Sequence, residues 1–397
     1  MTGVKAPSLL TLVAMAGLGA LATNIFLPSL PHMAQDFGTD YATIQLSVSG
    51  YLATSAVLQL MIGPISDRFG RRPVMIGALL IFLLATCGTL LATNIWLFLL
   101  FRMTQAVSAA GMVLSRAVIR DLSGPDQAAS RLGYVTMGMS VVPMMAPALG
   151  GILEETVGWH GSFAVMLGAG VVVLILVWTD LSETAQGGGI PLRQQIASYP
   201  VLARSVRFWG YALAATTSSG AFFAYLGGAP FVGQEIYGLT PGQLGWWFGA
   251  PSVGYFIGNY ISGRWSVRFG INLMVLAGSI IVAAALLIGL GLDLWGLRTP
   301  LAFFGPVVAM GLGNGLVLPS ANAGMMSVRP ELAGTASGLG GAMAIAGGAG
   351  LAALAARMLD KEAGATPLLT IMVASALGTI AAILWVMARE RQLLRSG

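Results

Sequence analysis

Hydrophobic residues in this chain gather into long runs separated by short polar turns. Apolar blocks lie near residues 8–30, 42–65, 73–93, 95–119, 131–153, 158–180, 207–231, 242–263, 271–292, 300–325, 333–356 and 366–388. A block of ~20 residues can cross the hydrocarbon of a bilayer as a helix, which satisfies its own backbone there. Between the second and third blocks, four charged side chains crowd into Gly63-Pro64-Ile65-Ser66-Asp67-Arg68-Phe69-Gly70-Arg71-Arg72-Pro73. Residues 41–62 before this turn and 74–101 after it carry no charge. Gly63 and Gly70 permit close backbone approach and a tight turn, and Pro73 suits the first turn of a new helix. The pattern predicts an all-α membrane protein with twelve transmembrane helices and both termini on one side. Lys5, the apolar stretch after it and Ala20-Leu21-Ala22 look superficially like a signal peptide, but the apolar run continues to Pro28 and is expected to span uncleaved.

Composition agrees. Hydrophobic residues make up 56% of the 397, charged residues 9%, and the mean hydropathy is +0.82. Soluble domains carry ~25% charged residues, so this chain cannot cover a water-facing surface in the usual way. The net charge of +5 does not point to nucleic acid, because the basic residues are scattered through separate loops. They sort by side instead. Sixteen fall on the face of the Gly63–Pro73 turn: Lys5, Arg68, Arg71, Arg72, Arg116, Arg120, Arg131, Arg193, Arg204, Arg207, Arg264, Arg268, Arg329, Arg389, Arg391 and Arg395. Arg298, Arg357 and Lys361 fall opposite, and Arg102 lies within a block. Basic residues favour the cytoplasmic side, so the turn and both termini are expected inside the cell. Cys87 is the sole cysteine and allows no intrachain disulfide.

The chain also repeats itself. Ile62–Gly70 matches Ser262–Gly270 at five positions with a constant shift of 200. Upstream, Gln35-Asp36 and Gln45-Leu46 correspond to Gln234-Glu235 and Gln243-Leu244. Two six-helix bundles follow, 1–181 and 207–397, joined by a cytoplasmic linker at 182–206 that contains Gly187-Gly188-Gly189.

Gly63, Asp67, Arg68, Gly70, Arg71 and Arg72, at their spacing and after a second apolar block, resemble the signature between spans two and three of major facilitator superfamily transporters. The end of the first block, Asn24-Ile25-Phe26-Leu27-Pro28-Ser29-Leu30-Pro31, is similar to the first-span motif of the bicyclomycin/chloramphenicol-resistance (Bcr/CflA) branch of drug:proton antiporters. That branch commonly has an acid where this chain has Asn24. A carboxyl can carry a proton through a transport cycle; an amide cannot. Arg102 and Gln105 match the fourth-span pattern Arg-x-x-Gln-Gly, with Ala106 in the last place. An Arg in hydrocarbon is costly unless it faces protein or water, so Arg102 is expected to point into the bundle, toward backbone carbonyls, Asn24 or substrate. Asp121 is expected to join Asp67 and Arg71 in an ion-pair cluster that closes an inner gate, and Arg116 to charge an inward cavity. Gly138, Pro143, Pro147, Gly150 and Gly151 resemble the antiporter motif of exporters in the superfamily. Gly and Pro at such spacing make a smooth, bendable helix face.

The resemblance implies a secondary transporter of the major facilitator fold that exports small amphipathic drugs or metabolites by alternating access, with the proton as coupling ion. A charge crossing ~100 mV gains about 2.3 kcal/mol, a bias of roughly fiftyfold. Asn24 puts that coupling in doubt. Candidate pocket residues are Tyr51, Met139, Phe222, Phe223, Tyr225, Tyr255 and Asn314, with Met137, Met144 and Met145 adding adaptable apolar surface. Packing seams are expected at Gly254, Gly258 and Ser262, and at Gly334, Ser337, Gly338 and Gly341. The expected partners are the lipid bilayer and a small-molecule substrate, with a monomer as the working unit. Two alternatives remain: a passive facilitator or importer of a small polar solute, and a membrane receptor or assembly partner that moves nothing. Neither Lys5 nor Lys361 follows a phosphate-binding loop, so no ATP-hydrolysing module is encoded. Gly311-Leu312-Gly313-Asn314-Gly315 lies inside an apolar block with no strand before it. His32 and His160 are too few for a metal site, and no nucleophile–base constellation marks an enzyme. All Asp and Glu fall at or near loops, so a proton carrier is expected at a cavity mouth or not at all.

Overall fold

The computed structural model describes residues 6–122, 125–185, 200, 202, 204–329 and 332–396. Twelve helical segments run through them, and no strand occurs among the described residues. They are α1 (Leu9–Asp36), α2 (Tyr41–Phe69), α3 (Arg71–Leu90), α4 (Ile95–Leu122), α5 (Pro125–Val157) and α6 (Trp159–Asp180). The second set is α7 (Val206–Phe231), α8 (Pro241–Phe269), α9 (Ile271–Leu294), α10 (Pro300–Val328), α11 (Ala333–Met358) and α12 (Thr366–Ser396). Nine of the described segments are long and apolar enough to cross a membrane by length and composition. Large apolar side chains such as Leu84, Leu100, Val172 and Ile288 point outward, a surface suited to lipid and not to water.

Several helices outrun their apolar blocks. α1 continues to Asp36 and α5 begins at Pro125, because hydropathy marks the hydrocarbon while the helix extends into the interface. The expected loop at Gly63–Pro73 shrinks to one residue. α2 stays helical through Phe69, Gly70 turns the chain at φ +97°, and α3 starts at Arg71. Gly63 therefore sits inside a helix, with open space where a Cβ would be.

α1 and α4 each pass through a 3₁₀ turn within their length. Pro28 has no N–H for the Asn24 carbonyl, and α1 passes through a 3₁₀ turn at Leu27–Ser29. α4 makes a similar turn at Gln105–Ser108. Ends are capped in the usual polar manner: Ser8 accepts from the Thr11 amide at 3.2 Å, and Asn94 from the Leu97 amide at 2.9 Å. Asp180, at the end of α6, accepts from the Ser8 amide and the Thr11 hydroxyl, both at 2.7 Å, tying α6 to the start of α1.

Contacts divide the chain into two compact units, residues 1–192 with 241–245, and residues 193–240 with 246–397. Within the first, α1 packs on α4, α5 and α6, and α3 packs on α4 and α6. Within the second, α7 packs on α10, α11 and α12, and α9 packs on α10 and α12. Each of these first-unit pairings thus recurs six helices later. Gly254 and Gly258 do form a seam, since a Cβ on either would lie 2.0–2.1 Å from the carbonyls of Val308 and Leu312. The seam expected at Gly338 and Gly341 does not form, as both face open space. α11 instead packs through Gly340 on Met325, Gly347 on Thr216 and Gly348 on Phe223. The α11 seam lies on a different face because the small residues there cover more than one side of the helix. Most of the linker, with Gly187–Gly189 and Arg193, lies outside the described residues, as do the side chains of Met137 and Met144.

Candidate functional site

The charge inside the first unit is held by its neighbours' backbones. Arg102 is fully buried. Its Nε donates to the Ser47 carbonyl at 3.1 Å, Nη1 to Gln105 Oε1 at 2.8 Å, and Nη2 to the Ala22 carbonyl at 2.6 Å. The guanidinium lies between two rings, 4.4 Å from the Phe26 centroid and 4.2 Å from that of Tyr51. Three helices, α1, α2 and α4, therefore converge on one planar cation. Gln105 is oriented in turn by donating to Thr86 Oγ1 of α3 at 2.9 Å, and the Tyr51 hydroxyl pairs with Ser108 Oγ at 2.8 Å. Among the described residues no carboxylate is ion-paired with Arg102. A guanidinium suits this setting because its donors are spread in a rigid plane and it is weakly hydrated.

Asn24 is also buried, and its Nδ2 donates to the Ala20 carbonyl one turn back at 2.7 Å. The amide thus engages its own helix. Beyond the 3₁₀ turn of α4, Arg116 is exposed.

At the Gly70 end of the unit, Arg71 is nearly buried, and its guanidinium joins Asp67 of α2, the Ser66 hydroxyl and, at 3.0 Å, Asp121 Oδ2 of α4. Arg68 is exposed and lies over the Phe69 ring. Arg72 donates to the Trp178 carbonyl at 2.8 Å and lies over its indole. On α5, Gly150 meets α1 where that helix breaks: a Cβ there would sit 1.6 Å from the Ile25 carbonyl oxygen. Gly138 packs likewise on Val13, Pro147 is buried, Pro143 is half-buried, and Gly151 is buried beside Gly150.

The pocket candidates divide between the units. Tyr51 is shut in against Arg102, and Met139 on α5 is half-buried. In the second unit, Phe222 and Tyr225 join Phe248, Phe303 and Phe304 in an aromatic cluster. The Tyr225 hydroxyl is buried there without a hydrogen-bond partner among the described residues. Phe223 packs on Gly348, Tyr255 is half-buried, and Asn314 Oδ1 accepts from Ser218 Oγ at 2.6 Å.

Three acids escaped the reading of the sequence. Glu154 is buried at the far end of α5, with one carboxylate oxygen in contact with His32 Nδ1 and the other unpartnered. His32 Nε2 also lies 3.5 Å from Asp36, which accepts from the Trp159 indole at 2.8 Å. Glu183 and Glu390 bind the starts of α3 and α9, and are taken up below. Each stands at a helix end, where an acid carries no signal of its own. Thr43, by its hydroxyl and then its amide, holds the Asp40 carboxyl below the usual range, while burial pushes the Tyr237 hydroxyl up to about 12.

Residues 12–353 match the Major Facilitator Superfamily. The chain belongs to that family. It is 28% identical over 395 residues to a bicyclomycin resistance protein homolog of Haemophilus influenzae, covering 96% of each chain. It is 29% identical over 324 residues to a chloramphenicol resistance protein of Pseudomonas aeruginosa, covering 80% of this chain and 76% of that one. Among solved structures, a bacterial homolog of the human lysosomal transporter Spinster aligns with a TM-score of 0.73 at 17% identity, covering 98% of this chain and 97% of the other. The major facilitator fold and the multi-pass membrane location follow from this membership.

Proposed function

We propose that this transporter exports small amphipathic drugs or related metabolites by alternating access, and that its proton coupling is weak or absent. Drug export is supported by the names of the relatives and by the Gly/Pro face of α5, which is packed against the break in α1. The observation that carries the second half is the polar pair near midspan. Arg102 is fully buried with carbonyls, Gln105 and two rings as partners, and Asn24 presents an amide where a proton carrier would need a carboxyl. The Asp67–Arg71–Asp121 cluster serves as a gate that biases a near-balanced equilibrium. The distribution of basic residues supports a Gly70 turn and both termini inside the cell, and the bacterial relatives support an inner membrane. The acting unit is a monomer, with the proton as the coupling ion wherever coupling survives.

The test sets this chain beside Asn24→Asp in proteoliposomes with an imposed pH gradient, using chloramphenicol as probe. Both should bind the drug, while Asn24→Asp should export it against a gradient at least several-fold more strongly. Equal export by the two, driven by the pH gradient, overturns the reading. The missing acid favours one further possibility, a passive facilitator, for which counterflow without pH dependence is the mark.

A further inference from the structure

The turn between α2 and α3 is held by a residue that lies well outside the signature it belongs to. Glu183 follows α6 by three residues, at the start of the linker. Its Oε1 accepts from the Arg71 amide at 2.8 Å and its Oε2 from the Arg72 amide at 3.2 Å. The first-turn amides of a helix have no partner within the helix and carry its positive end, so a carboxylate there is favoured on both counts. Glu183 is itself fixed by two amides of its own strand of chain, Thr184 at 3.0 Å and Ala185 at 2.9 Å. Thr184 reaches on to Asp121 Oδ2, the same oxygen that receives Arg71 Nε. The carboxylate also explains Gly70 a second way: besides its φ of +97°, a Cβ at that position would lie 2.4 Å from Glu183 Oε2.

The repeat supplies an independent comparison. At the corresponding turn of the second unit, Gly270 has nearly the same backbone, φ +82° and ψ 154° against +97° and 150°. A Cβ there meets nothing within 4 Å. The acid is present again, on the last helix of its bundle, but it takes a side chain: Glu390 accepts from Asn272 Nδ2 and ion-pairs with Arg207 at 2.9 Å. Asn272 stands where the first unit has Arg72. Two bundles with the same turn thus use the same kind of acid, one on backbone and one on a side chain.

We propose that Glu183 is a positioning residue of the transport cycle: it clasps the first turn of α3 and so sets Arg71 between Asp67 and Asp121. Glu390 is its side-chain counterpart in the second unit. The proposal rests on transport activity, but its first readout needs no substrate.

Full-length protein in lipid nanodiscs is compared with Glu183→Ala, Glu183→Gln and Glu390→Gln by amide hydrogen exchange. In Glu183→Ala the Arg71 and Arg72 amides should exchange about tenfold faster or more, the loss of one charge-assisted hydrogen bond. Glu183→Gln, which keeps one acceptor oxygen, should fall between. Glu390→Gln should leave the amides of residues 271–272 unchanged, because its bond is to a side chain. In proteoliposomes, Glu183→Ala should lower the maximal chloramphenicol flux several-fold at unchanged KM, with partial recovery in Glu183→Gln. Unchanged exchange at Arg71 and Arg72 overturns the clasp. Faster exchange spread evenly through residues 9–180, or faster local exchange with unaltered flux, overturns the positioning role. A parent chain that moves no drug defeats the export reading instead, and leaves the exchange result standing.

Discussion

Replacing Arg102 by Lys should harm this protein more than replacing it by Met, although Lys keeps the charge. The guanidinium spans acceptors on three helices, the carbonyls of Ala22 and Ser47 and the Gln105 amide, and stacks between Phe26 and Tyr51. An ammonium is a compact point charge on a flexible stem and cannot reach all three from one position. Arg102→Lys therefore leaves a buried cation short of partners, at a cost comparable to breaking a buried pair, about 3–5 kcal/mol. Arg102→Met abandons the same three bonds but removes the charge as well. What remains is chiefly Gln105 Oε1 without a donor, about 1–3 kcal/mol, offset because no ion has to be kept from water. At roughly 2–4 °C per kcal/mol for a unit near 200 residues, Lys should lower the apparent Tm by ~6–20 °C and Met by about half that. The assay is intrinsic tryptophan fluorescence in detergent at one scan rate, because the order of the three proteins is the result sought. A Lys variant that melts with the parent, or above the Met variant, refutes the idea that geometry rather than charge holds Arg102.

Two further outcomes follow from the packing. Gly150→Ala forces a Cβ to within 1.6 Å of the Ile25 carbonyl, and neither helix backbone can yield locally. It should cost about 3 kcal/mol or more and be visible as a loss of folded protein on size-exclusion chromatography, whereas wild-type elution would refute the contact. Tyr225→Phe removes a buried hydroxyl that has no partner, so Tm should hold or rise slightly. A fall of more than ~2 °C would mean that this hydroxyl has a protein partner after all.

Hydropathy made the spans legible, because a helix in lipid has to be apolar over a fixed length whatever its sequence. The shift of 200 between Ile62–Gly70 and Ser262–Gly270 pointed to two bundles because identical turns leave the same residue types behind. The grouping of Asp67, Arg71 and Asp121 was legible through resemblance alone, since α2, α3 and α4 meet there only after folding. Arg102 was visible as a charge in an apolar block, and backbone carbonyls were among its expected partners, but which carbonyls was not legible. Backbone carbonyls belong to every residue, so nothing distinguishes Ala22 or Ser47 in the sequence as acceptors. Glu183 was hidden for the converse reason. Its partners are two amides, its position is the start of a polar linker, and an acid in a linker looks the same whether it is solvated or seated on a helix end. Gly70 was the one clue, and it was ambiguous: positive φ alone accounts for glycine there, as it does at Gly270. Only the space around the missing Cβ separates the two turns. A glycine that is needed twice, once for its backbone and once for its emptiness, marks a place where another part of the chain has come to rest.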